Sequence, residues 1–135
     1  MVPGEELLFC ALGGSGEIGM NVNLYGTRGQ WLMVDLGLTF ADPDYPGIDL
    51  ILPELEFIEN QRDRLAGIVL THGHEDHIGA IPYLAADLKA PLYATPFTAG
   101  LIAEKLEEEG LTGQVKLNVI ARDASFEVGP FKLTY

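Results

Sequence analysis

Four side chains of metal-ligating type lie within six positions of this chain, in the pattern H-x-H-x-D-H. They are His72, His74, Asp76 and His77, and they include all three histidines of the chain. Imidazole and carboxylate groups are the usual protein ligands of zinc and other first-row metals. In extended backbone, His72 and His74 point to the same side and can bind one ion. The adjacent Asp76 and His77 can reach a second ion where the chain bends, so the spacing predicts a metal centre. A single structural zinc is the weaker alternative, because four tetrahedral ligands this close in sequence would strain the backbone.

The motif lies between a predicted strand and a predicted helix. Residues 66–70 form an apolar run of strand length, and Ile78, Ile81, Ala85 and Leu88 then recur at helical spacing. The metal motif is therefore expected in a loop at the carboxyl end of a strand, where ligands bind in layered α/β folds.

The remaining elements predict a mixed α and β fold. Strands are expected at residues 7–12, 22–26, 31–34, 91–94, 115–121, 126–128 and 131–135, and helices at 54–61 and 96–109. Residues 37–53 contain several turn signals and are expected to be irregular.

Composition indicates a folded, acidic protein. The chain has 135 residues, 47% of them hydrophobic, and its 8 basic and 20 acidic residues give a net charge of −12. This charge argues against binding nucleic acid or membranes through the chain's own surface. A single cysteine excludes an internal disulfide, and no apolar run has the length of a membrane span. A soluble cytoplasmic protein is the expectation.

A glycine pattern near the N-terminus offers a competing interpretation. Gly14, Gly16 and Gly19 form G-x-G-x-x-G after a strand, and Asp35 follows Gly16 by 19 residues. This is nearly the spacing of a dinucleotide-binding fold, which would need a helix between the glycines and the aspartate. Residues 21–30 instead alternate with period two and contain helix-disfavouring Asn and Gly, which predicts a β-hairpin.

The metal motif resembles the signature of the metallo-β-lactamase superfamily. The resemblance implies that His72 and His74 bind one zinc ion and that Asp76 and His77 bind a second. It also implies that Asp35, which ends a strand, supports the metal loop; the alternative is an aspartate that only caps a turn. The implied fold is the αββα four-layer sandwich, of which residues 1–135 would be an incomplete N-terminal portion. The family's further ligands, two histidines and a bridging aspartate, are absent from the chain.

Two longer stretches resemble bacterial ribonuclease J, a member of the β-CASP ribonucleases. They are residues 13–21, Gly-Gly-Ser-Gly-Glu-Ile-Gly-Met-Asn, and residues 70–84 around the metal motif. This resemblance implies a zinc-dependent 5′-to-3′ exonuclease and endonuclease that hydrolyses single-stranded RNA through a metal-bridged hydroxide, in mRNA decay and rRNA maturation. It also implies a homo-oligomer, with β-CASP and C-terminal domains that are absent here. The 135 residues alone are therefore expected to be inactive and to bind RNA poorly.

Three alternatives remain at this point. The first is another hydrolase of the superfamily, such as a glyoxalase II-like thioesterase or a lactamase, because the short metal motif fits these equally. The second is a non-catalytic piece with weak metal binding. The third is whether Asp42, Asp44 and Asp49 hold an additional divalent ion or lie in a solvated loop.

Overall fold

The structure is a computed structural model, and it describes residues 7–13, 22–37, 39–40, 50–51, 56–71, 73 and 75–135. Within these ranges the strands are β1 (Leu8–Gly13), β2 (Val22–Thr27), β3 (Gln30–Val34), β4 (Thr39–Phe40), β5 (Leu50–Ile51), β6 (Leu65–Val69), β7 (Leu92–Ala94), β8 (Leu117–Val119), β9 (Ser125–Val128) and β10 (Phe131–Thr134). The helices are α1 (Glu56–Glu59), a 3₁₀-helix (Arg62–Arg64), α2 (Glu75–Ile78), α3 (Ile81–Leu88) and α4 (Pro96–Glu108). No helix in the described ranges has the length and apolarity that crossing a membrane requires.

A tight hairpin joins β2 and β3. Its turn residues Arg28 and Gly29 both have positive φ, 51° and 76°, as a two-residue type I′ turn requires. In β2 the buried positions Val22, Leu24 and Gly26 alternate with partly exposed ones. The hairpin prediction is confirmed, and the dinucleotide-binding interpretation is wrong, because a strand stands where that fold needs a helix.

The central sheet is mixed. Its strand order is β1-β2-β3-β6-β7-β8. β1, β2 and β3 pair antiparallel, whereas β3, β6, β7 and β8 pair parallel. The carboxyl ends of the four parallel strands meet at one edge of the sheet, and both the segment after β3 and the metal motif after β6 begin there.

Different elements cover the two faces of the sheet. Met33 and Ile68 face the main core, to which helices α3 and α4 contribute, whereas Leu32 and Val69 face the β9–β10 hairpin. The largest fully buried side chains of the described residues are Leu24, Met33, Leu36, Ile58, Ile68, Leu70, Ile78, Ile81, Leu88, Leu92 and Ile102. Burial of apolar surface on both faces of the sheet therefore fixes the strand ends that lead into the metal motif.

Helix α4 begins and ends where the sequence predicts. Pro96 opens the helix after Thr95, which has extended backbone dihedrals of φ −68° and ψ 162°. At the other end, Gly110 has a φ of 69°. The amide of Leu111 donates to the carbonyl of Leu106 at 2.8 Å, the long-range bond of a Schellman motif.

A helix that carries Ile78, Ile81, Ala85 and Leu88 is predicted after the metal motif, whereas the structure has two helices there, with Ile78 in α2 and the other three residues in α3. Pro82 cannot donate a backbone hydrogen bond to the carbonyl of Ile78, and it lies in the first turn of α3. The backbone groups at the break bond elsewhere: the carbonyl of His77 accepts from the amide of Leu36 (2.8 Å), and the amide of Ala80 donates to the Leu36 carbonyl (3.0 Å). In a continuous helix these groups would bond within the helix. Because α2 begins at Glu75, Asp76 is helical and does not lie in the predicted loop.

Three other predicted segments differ from the structure in the bounds of their strands or helices. Residues 37–53 are not irregular throughout, because β4 and β5 pair antiparallel within them. The strand predicted for residues 115–121 is limited to β8, with Val115 forming only an isolated bridge to Thr112. Within the helix predicted for residues 54–61, the structure has α1 at Glu56–Glu59, and the separate 3₁₀-helix at Arg62–Arg64 lies beyond the predicted range.

Candidate metal centre

Asp35 lies directly after β3, and only 4% of its surface is exposed. Its φ of 68° falls in the left-handed region, where Asp and Asn are enriched among non-glycine residues. The backbone amide of Asp35 donates to the carbonyl of Val69 at 2.8 Å. This bond fixes Asp35 beside the end of β6, from which the metal motif begins.

The carboxylate of Asp35 accepts hydrogen bonds from two residues of the metal-motif segment. The amide of Thr71 donates to Oδ1 at 2.7 Å, and the Thr71 hydroxyl donates to Oδ2 at 2.7 Å. His77 Nδ1 lies 2.7 Å from the same Oδ2. A buried carboxylate needs such donors to offset its desolvation. Asp35 therefore joins both ends of the segment that runs from β6 into α2.

The contact with Asp35 places a hydrogen on Nδ1 of the His77 ring. An ionised carboxylate only accepts hydrogen bonds, so Nδ1 carries the hydrogen and the lone pair of the neutral ring lies on Nε2. This is the arrangement in which metal-ligating histidines are held by a carboxylate. The side chain of His77 is 20% exposed. His77, the one predicted ligand whose side chain is described, is therefore oriented as a residue that binds a divalent metal through Nε2 would be.

The other predicted ligands are described only in part or not at all. His72 and His74 lie outside the described residues, and of Asp76 only the backbone in α2 is described. The aspartates at positions 42, 44 and 49, considered for an additional ion, also lie outside. In the described part of the chain, no three His, Cys, Asp or Glu side chains form a metal-binding group. The four-residue ligand set therefore stays a prediction.

Two residues at this edge of the sheet were not expected from the sequence. Thr71 donates twice to Asp35, although nothing in its type identifies that role. The Tyr135 hydroxyl lies 3.0 Å from the Leu70 carbonyl and 2.8 Å from the Tyr93 carbonyl. Burial raises the pKa of the Tyr135 phenol above its usual value, and the nearby Asp35 charge adds to this. The Tyr135 hydroxyl therefore keeps its proton and remains a hydrogen-bond donor.

A comparison with known protein families identifies the family of this chain. Residues 16–130 match the family model described as the Metallo-beta-lactamase superfamily. The chain belongs to this superfamily. The described strand and helix order is thus part of the metallo-beta-lactamase fold, as the H-x-H-x-D-H motif predicted.

A comparison with individual proteins finds a similar ribonuclease. The chain is 44% identical to Ribonuclease J of Sinorhizobium meliloti over 98% of its length, and it covers 24% of that relative. The predicted resemblance to ribonuclease J is confirmed, and the chain spans about a quarter of the length of this relative.

Two solved structures are similar to this chain in fold. The metallo-beta-lactamase fold protein YhfI of Bacillus subtilis has a TM-score of 0.63 and 18% identity, covering 96% of this chain and 52% of that one. The Zn²⁺-bound PqqB of Methylobacterium extorquens has a TM-score of 0.55 and 20% identity, covering 82% of this chain and 36% of that one. At this identity the similarity establishes the fold alone.

Proposed function

We propose that this chain carries the metal-binding segment of a zinc-dependent ribonuclease that hydrolyses the phosphodiester bonds of RNA. The observation that carries the proposal is the 2.7 Å contact between His77 Nδ1 and Asp35 Oδ2, which leaves the ring's lone pair on the nitrogen that can bind a metal. The similarity to Ribonuclease J supports RNA as the substrate class. In the whole protein we propose 5′-to-3′ exonuclease and endonuclease action on single-stranded RNA. We place it, as a homo-oligomer, in the cytoplasm, in mRNA decay and rRNA maturation.

The proposed ligands are divided between two ions. His72 and His74 bind the first, and Asp76 and His77 bind the second. When bound, two such ions supply positive charge to the scissile phosphate and lower the pKa of a water. Zinc is proposed because the set is rich in imidazole, and the Zn²⁺-bound neighbour of the same fold supports that choice.

The described residues orient one of these ligands, His77. Asp35 holds the His77 ring through Nδ1, which raises the basicity of Nε2. Thr71 donates to both carboxylate oxygens of Asp35 and so limits rotation of that carboxylate. Helix α2 brings Asp76 and His77 into adjacent positions of one turn. The function of these residues is therefore to hold donor atoms in place before the substrate binds.

Removal of the metal is the direct test of the proposed function. We expect a chelator to abolish hydrolysis of a single-stranded, 5′-monophosphorylated RNA by the whole protein, and added zinc to restore it. The readouts are RNA cleavage on denaturing gels and bound zinc by elemental analysis. A thioester substrate should not be hydrolysed under the same conditions. RNA hydrolysis that persists in the metal-free protein would contradict the proposal.

Gly73 gives a second test, because it separates the two histidines proposed for the first ion. A Cβ at this position would overlap Cδ1 of Leu101 in α4. We expect Gly73→Ala to displace the loop and lower the zinc affinity of the whole protein by about tenfold, comparable to the loss of a residue that orients a ligand. Chelator competition measures this affinity.

The matched variant for this test removes the obstructing atom. In Gly73→Ala combined with Leu101→Ala, the new methyl group has room, so we expect most of the zinc affinity to return. Equal affinities of the wild type and the single Gly73→Ala variant would show that the loop does not depend on this close approach.

A further inference from the structure

Tyr135 and Asp35 hold the two ends of one peptide unit, the one that joins Leu70 to Thr71. Its carbonyl lies 3.0 Å from the Tyr135 hydroxyl and shares the single hydrogen of that hydroxyl with the Tyr93 carbonyl, which is 2.8 Å away. Its N–H donates to Asp35 Oδ1 at 2.7 Å. Because a peptide unit is planar, the two bonds together fix its orientation. Hydrogen bonding at the carbonyl also polarises the unit and strengthens the bond that its N–H makes.

The position of Tyr135 is itself well determined. Its ring stacks on Phe126, with centroids 5.4 Å apart and planes at 19°. Phe126 in turn stacks on Tyr93 at 5.6 Å and 25°. The hydroxyl also lies 2.8 Å from the Tyr93 carbonyl, which accepts from the Leu70 amide at 2.9 Å as well. A half-buried aromatic stack thus places one hydroxyl at the ends of β6 and β7.

We propose that Tyr135 is a positioning residue for the metal centre. It fixes the peptide before Thr71, so that Thr71 presents its amide and hydroxyl to Asp35. Asp35, held in this way, keeps the His77 ring in its metal-binding orientation. This inference rests on the proposed metal-binding function and adds to it a residue 58 positions from His77 in sequence.

Replacement of the hydroxyl alone tests the inference. Tyr135→Phe in the whole protein keeps the ring and its stacking, so the fold is retained. We expect hydrogen exchange at the Thr71 amide to become at least about tenfold faster and zinc affinity to fall by about tenfold. Exchange at the Ile68 amide within β6 should not change. Tyr83→Phe, which removes a hydroxyl from a side chain that is 46% exposed, is the matched control and should alter neither quantity.

The outcomes separate this inference from the function on which it rests. Wild-type zinc affinity in Tyr135→Phe would overturn the positioning role, even if Thr71 exchanged faster. A uniform increase in exchange at Thr71 and Ile68 would also overturn it, because the effect would then be general destabilisation. Failure of the wild-type protein to bind zinc would overturn the proposed metal centre and the inference with it.

Discussion

Asp35→Asn is expected to lower the zinc affinity of the whole protein by about 10- to 100-fold, the loss typical for residues that orient a metal ligand. The introduced amide has only one acceptor oxygen, and the Thr71 amide requires it at the position of Oδ1. Its NH₂ group then faces His77 Nδ1. That nitrogen must become an acceptor, so the ring hydrogen moves to Nε2. The lone pair proposed to bind the metal is lost, although no ligand has been removed.

Two measurements check this result. Chelator competition gives the zinc affinity, and the nitrogen chemical shifts of His77 give its tautomer in the metal-free protein. Hydrolysis of single-stranded RNA should fall with the occupancy of the site. Retention of both the tautomer and the affinity in Asp35→Asn would contradict the orienting role of the carboxylate.

The chain offers a closely matched control in Asp123. Like Asp35 it has a positive φ, 63°, but it is exposed. Asparagine tolerates this backbone conformation as well as aspartate does, so backbone strain is the same in both variants. We expect Asp123→Asn to leave the zinc affinity unchanged. A difference between the two variants therefore measures the buried contacts of Asp35 and not the cost of the conformation.

Much of the fold follows from local sequence patterns. The alternation in β2 decided between a hairpin and a nucleotide-binding helix, because successive side chains of a strand point to opposite faces and β2 buries one face more than the other. Helix α4 was predicted at both ends, since Pro96 and Gly110 act through their own backbone preferences. Elements whose limits depend on one or two residues of their own sequence are therefore predictable.

The break between α2 and α3 shows what local patterns miss. Apolar spacing continues through it, and although Pro82 favours a new first turn, the backbone groups of His77 and Ala80 bond to Leu36, about 40 residues earlier in the chain. Local sequence patterns likewise identify only some of the residues that support the metal centre. The H-x-H-x-D-H spacing predicted His77, and the resemblance to the metallo-β-lactamase superfamily implied Asp35, but the roles of Thr71 and Tyr135 depend on which strand ends meet. Such roles become visible only when the sheet is assembled.

The largest effect on stability is expected for Gly67→Ala in β6. A Cβ at this buried position would lie 2.6 Å from Val128 Cγ1 and 2.8 Å from Tyr93 Cε2. Val128 is 1% exposed, and Tyr93 is held in the stack with Phe126, so neither side chain can move without repacking. Overpacking of this kind costs about 1–3 kcal/mol. The free energy of opening, from native-state hydrogen exchange at the amides of β9 and β10, should fall by that amount.

A matched glycine and a second substitution make the origin of this cost testable. Gly100 in α4 has open space around a new Cβ, so Gly100→Ala should stabilise the helix by about 0.5–1 kcal/mol. Adding Val128→Ala to Gly67→Ala removes one of the two obstructing groups. The double variant should therefore be less destabilised than the sum of the single variants, by about 0.5 kcal/mol or more. Strict additivity would show that the β9–β10 hairpin does not pack on β6 through this contact. It would also remove the physical basis for Tyr135 reaching the end of that strand.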